Sequence, residues 1–288
     1  MIWLIVSIIT NTLLLLILKG FEKYRVNTLH GIVVNYFVAG CTGILLMGVP
    51  DYEVLLTGAK EVLWIPAVFG FLFITIFLTV AKTAQVSGIS VATVANKMSV
   101  VIPVLAAVIL YGENLGPIKI IGILAALVAV WMTSKKTEGG GFSMKMLLWP
   151  VVIFIGSGVI DALVNHMQLK VTDKSLLPFM LSLAFLSALC VGLATIAYRL
   201  FIHKEKVQLR SVVGGIVLGI PNYFSIFAVT KALDSKIMET SALYPVNNMG
   251  MVICSALGAL LVFREKLSLL NWAGILVSLL AIGLIAFA

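Results

Sequence analysis

Ten apolar runs of membrane-crossing length alternate with short polar stretches along the chain, at roughly 2–19, 28–48, 62–84, 88–111, 117–134, 147–169, 176–200, 209–232, 237–262 and 269–287. A helix needs about 20 apolar residues to cross the hydrocarbon core. A membrane β-barrel would instead show segments of about 10 residues with strict alternation, and none is seen. The pattern therefore predicts an all-α integral membrane protein with ten transmembrane helices. Trp3, Trp64, Trp131, Trp149 and Trp272 all fall near predicted span ends, where an amphipathic ring prefers the headgroup level.

The pattern also repeats. Tyr111–Val130 (YGENLGPIKIIGILAALVAV) matches Phe263–Ile282 (FREKLSLLNWAGILVSLLAI) at an offset of 152, pairing Glu113 with Glu265 and Gly122 with Gly274. Asn96 pairs with Asn248 at the same offset. Gly70 and Lys82 pair with Gly219 and Lys231 at 149, and Ser7 and Asn11 with Ser157 and Asp161 at 150. Two five-span halves are thus expected, at 1–134 and 147–288, joined by a linker at 135–146 that overlaps the glycine-rich stretch Thr133–Ser143, TSKKTEGGGFS. A five-span unit starts and ends on opposite sides of a membrane, so the fused halves should form inverted repeats.

Composition sharpens this picture. Of 288 residues, 61% are apolar and 11% charged, with a mean hydropathy of +1.14. So few charges cannot cover a soluble surface, so the solvent is lipid. The formal charge of +8 is spread over loops and forms no basic face for nucleic acid. Thirteen Lys or Arg fall in loops after odd-numbered spans and six after even-numbered ones. That bias predicts a cytoplasmic membrane protein with the odd loops inside and both termini outside. Cys41, Cys190 and Cys254 lie within spans, lack paired spacing, and are expected to be buried, reduced and structural. The first span begins without a basic lead or a cleavage motif and reads as a retained helix.

The candidate chemistry is the small set of charges and amides inside spans. A charge at the bilayer centre costs at least ~2.5–3.5 kcal/mol, so each requires a reason. Lys97 lies deep in the fourth span, sharing a face with Ser90 and Thr93, with Asn96, Ser99 and Pro103 beside it. It suits contact with an anion or carboxylate, partnership with a proton-carrying acid, or a structural ion pair. Asp161 in the sixth span begins a polar stripe with Ser157, Asn165 and Gln168. It suits a substrate amine, a proton, or a pair with Lys97. Asn11 occupies the corresponding place in the first half. The ninth span offers Tyr244, Pro245, Asn247 and Asn248, and the eighth offers Pro221 and Asn222. Glu239 reads as a helix-start acid, and Glu113 and Glu265 as turn or cap residues. No hydrolase, metalloprotease or nucleotide-binding motif occurs, so no catalytic set, cofactor or metal is expected.

Each half closes with a glycine-and-glutamate turn and a small-residue helix. The first runs from Ile102-Pro103-Val104 through Tyr111-Gly112-Glu113 to Gly122, the second through Phe263-Arg264-Glu265 to Gly274. In this the chain resembles the drug/metabolite transporter superfamily, in particular its EamA-type members. The second half departs from the pattern, with Ser255 opposite Pro103. The resemblance implies a secondary transporter, an exporter or exchanger of a small polar or amphipathic metabolite. It also implies both termini in the cytoplasm, the reverse of the loop-charge reading. The expected site is formed by Lys97, Asn96, Thr93, Asp161, Asn165, Asn248, Tyr244, Asn222 and Asn11. Proton coupling is one route of energisation, the partners are the substrate and the lipid bilayer, and the assembly is a monomer or homodimer. The rival class is an intramembrane enzyme or flippase acting on a lipid-linked substrate.

Overall fold

The computed structural model describes residues 1–111, 116–134, 144–204, 206–235 and 240–286. Glu113, Glu239 and linker positions 135–143 lie outside the described residues. Among the described residues all regular structure is helical: α1 (Ile2–Lys23), α2 (Thr28–Met47), α3 (Tyr52–Ala59), α4 (Ile65–Val86), α5 (Ile89–Met98), α6 (Val101–Tyr111), α7 (Pro117–Ser134), α8 (Met144–Lys170), α9 (Leu177–His203), α10 (Leu209–Asp234), α11 (Thr240–Phe263) and α12 (Leu269–Ala286). By length and composition, ten spans can cross a membrane, with α5 and α6 together supplying the span Ile89–Ala106. The chain is thus a multi-pass membrane protein. All five tryptophans are exposed, as ring anchors at span ends should be.

Two features depart from the sequence reading. The fourth span is not one helix, because it breaks between α5 and α6 at Ser99–Val100. Pro103 lies in the first turn of α6 and has no N–H to offer Ser99, so the helical ladder cannot continue across it. The freed Ser99 carbonyl instead accepts from Ile102 N at 2.9 Å, and the Ser99 hydroxyl turns back to the Asn96 carbonyl. Cys190 is exposed on α9 rather than buried; Cys41 and Cys254 are half-buried, and all three are free.

The chain packs as two compact units. One comprises Met1–Lys19, Thr79–Asp161 and Phe224–Ala288; the other comprises Gly20–Leu78 and Ala162–Tyr223. Each draws on both sides of the 135–146 linker.

In the first unit α7 and α12 pack antiparallel. A Cβ at Gly122 would lie 2.8 Å from Ile285, and one at Gly274 would lie 2.8 Å from Thr133. These contacts exchange under the 152-residue offset: Gly122 corresponds to Gly274, and Thr133 to Ile285. Asn271 closes the helix pair by donating to the Thr133 carbonyl at 2.9 Å.

In the second unit α2 packs antiparallel against α9, with Gly43 facing Ser182 and Gly192 facing Val33. Gly70 of α4 abuts the Ser187 backbone, and Gly219 of α10 abuts Val38. Both sets exchange under an offset of 149. Tyr36 and Phe185, partners at that same offset, stack on each other at 6.0 Å. Where glycine removes the side chain, backbones approach closely; lipid offers no hydrophobic drive, so such packing is what holds spans together.

Candidate functional site

The polar cluster of the first unit is built where α5 ends. Met98 is the last residue of α5, so Lys97 sits in its final turn, where the partial negative charge of the helix end favours a cation. Asn96 and Ser99 flank Lys97 and reach α8: Asn96 Nδ2 donates to Ser157 Oγ at 2.7 Å, and the Ser99 hydroxyl, whose one proton is shared with the Asn96 carbonyl, lies 3.2 Å from Asp161 Oδ2. Lys97 lies near enough to the Asp161 carboxylate for charge attraction to act between them. Gly158, between Ser157 and Asp161 on α8, leaves no room for a Cβ beside Ile102. Its missing side chain lets α8 close on the broken span.

Asp161 is exposed and Lys97 half-buried. A fully dry pair would have to recover a desolvation cost of several kcal/mol per ion. Two opposite charges that water reaches avoid most of that cost.

The other predicted residues fall elsewhere. Thr93 is buried and its hydroxyl donates to the Ile89 carbonyl of its own helix at 2.9 Å. Asn11 donates to the Ser7 carbonyl on α1 at 3.0 Å. Asn248 is half-buried and Tyr244 exposed on α11, which continues through Pro245. Asn222 belongs to the second unit, where it donates to Asn35 Oδ1 at 3.0 Å in a buried amide pair between α10 and α2. Asn165 is exposed, one turn beyond Asp161 on α8, and also belongs to the second unit. The structure thus brings together Asn96, Lys97 and Asp161, and adds Ser99 and Ser157 as their hydrogen-bonding partners. Both serines were visible as neighbours of the charges; their role as cross-helix partners required the fold. Among the described residues no group of three or more His, Cys, Asp or Glu could hold a metal.

No family model matches this chain. An uncharacterised protein of Haemophilus influenzae is 29% identical over 285 residues, spanning 97% of this chain and 95% of that one. A solved crystal structure superposes with a TM-score of 0.53 at 16% identity, covering 98% of this chain and 96% of the other. At that identity the likeness concerns the fold alone, and it extends over the whole of it.

Proposed function

We propose that this chain is a secondary active transporter of a small polar or amphipathic metabolite, built from two inverted five-helix halves and working by alternating access in the cytoplasmic membrane. The observation that carries this reading is the interrupted fourth span, with Lys97 in the last turn of its first segment and Asp161 opposite on α8. Broken spans that present a helix end and a charge are a recurrent way to hold a polar solute within a membrane. The exchanging glycine contacts, Gly122 with Ile285 against Gly274 with Thr133, and Gly70 with Ser187 against Gly219 with Val38, support the inverted duplication. They are the contacts expected when each half meets the other through an internal two-fold relation.

In this mechanism an anionic group of the solute displaces the Asp161 carboxylate from Lys97, and Asn96, Ser99 and Ser157 satisfy its remaining polar atoms. Asp161, once released, takes a proton or a cationic group. The pair is therefore re-formed after each delivery, and a gradient or a counter-substrate drives the cycle.

The test uses purified protein in liposomes, with a substrate chosen by screening metabolite pools for raised thermal stability. Lys97→Gln abolishes substrate-induced stabilisation and transport, while the folded yield stays near that of the parent. Asp161→Asn loses uptake driven by a pH gradient and retains exchange. Full gradient-driven transport in both variants excludes the pair from the site. Turnover of a lipid-linked substrate without movement of any solute overturns the transporter reading itself.

A further inference from the structure

A second polar cluster lies at the opposite end of α5 from Lys97, and the proposed solute site does not use it. α11 ends with Arg264 at a φ of 52°, in the left-handed region, and Glu265 N donates back to the Ala259 carbonyl at 3.0 Å. This terminal turn aims the Glu265 side chain across to α5. There both carboxylate oxygens accept from Ile89 N at 3.2 Å, capping the first turn of α5. Lys19 of α1 closes the arrangement: its Nζ lies 3.3 Å from Glu265 Oε1 and donates to the Gln85 carbonyl at 3.0 Å. Gln85 Nε2 in turn donates to the Leu18 carbonyl at 2.9 Å. One carboxylate thus ties together α1, the α4–α5 junction and the α11–α12 turn.

The backbone around α5 is cut at both ends. Gly88 precedes it with a φ of 112°, and a Cβ there would lie 2.9 Å from Glu265 Oε2. Ser99–Val100 follows it. α5 is therefore a ten-residue rod flanked by two backbone breaks, carrying Lys97 at one end and latched by Glu265 at the other. The latch bonds are charge-assisted and reversible, with the two side chains 17% and 14% exposed. Water can compete for them in a way it cannot compete for a packed apolar seam.

We propose that the Lys19–Glu265 pair is a releasable gate latch, and that Glu265 is a positioning residue whose release frees α5 to swing and carry Lys97 with it. The proposal builds on the transporter reading. Its test needs no substrate, so failure of the latch and failure of that reading are separable.

The reporter is Ser90→Cys. Ser90 is buried in the first turn of α5, 3% exposed, and its hydroxyl has no hydrogen-bond partner, so the exchange removes little. In purified protein otherwise stripped of cysteines, the rate of modification by a charged methanethiosulfonate reagent is measured with Lys19 and Glu265 intact, then with Glu265→Gln or Lys19→Met. Loss of a charge-assisted contact is expected to raise the rate by about tenfold or more. A second protein, retaining only the native Cys41 of α2, serves as the control. Acceleration at position 90 but not at 41 supports the latch. Acceleration at both positions, or at neither, overturns it. If Glu265→Gln gives no folded protein, Lys19→Met, which leaves the Ile89 cap in place, decides by the same criteria.

Discussion

Among single residues, the chain sets its rare mid-span charges, Lys97 and Asp161, near each other and its left-handed backbone angles at the ends of helices. Lys97 and Asp161 were legible because a charge deep in an apolar run demands a partner, and only two such charges were near mid-span. Glu265 was legible as a cap, but its target was not. Ile89 lies 176 positions away, and nothing local in the sequence signals that distance. An alanine in place of Gly88 would need both a left-handed φ and space already filled by the Glu265 carboxylate. Gly88→Ala is therefore expected to lower stability by about 1–3 kcal/mol, read as a fall in the detergent-solubilised thermal midpoint. An unchanged midpoint would mean that neither constraint holds.

At the scale of elements, hydropathy found the spans and missed the interruption of the fourth. An apolar run reports whether a segment tolerates lipid and is silent about a break of two residues within it. The relevant signals were Pro103 and Ser99. The proline removes the donor that the Ser99 carbonyl would have used, and the serine hydroxyl competes for the backbone of its own turn. Helix pairing was legible only in outline, since the repeated glycines announced close approach without naming the partner. Gly70 and Gly219 supply the prediction here. A Cβ would lie 2.8 Å from the Ser187 backbone in one case and 2.7 Å from the Val38 side chain in the other. Gly70→Ala and Gly219→Ala are each expected to cost about 1–3 kcal/mol. The first should cost more, because backbone yields less readily than a side chain; denaturation of the two single variants side by side reads the order.

For the whole molecule, loop charge and family likeness point to opposite orientations, and the charge count is the physical argument. Lys204, which ends α9 in a left-handed conformation, lies in the basic set. A cysteine introduced by Lys204→Cys is expected to resist an impermeant reagent on intact cells and to react once the membrane is permeabilised. Reaction on intact cells would reverse the orientation. The number of spans was readable from hydropathy. The compact units were not, because each is assembled from segments far apart in the chain, and apolar patterning does not encode which distant face a helix meets.

That interleaving has a consequence for how the protein is made. α2 and α7 are synthesised well before α9 and α12, the helices against which their glycine faces close. While the ribosome is still completing the second half, those faces lack the neighbours that cover them in the finished fold. Native packing is then a late event, completed only when the last span arrives. A chain truncated before α12 is expected to insert its earlier spans yet leave the Gly122 face of α7 uncovered, as prey for membrane quality control.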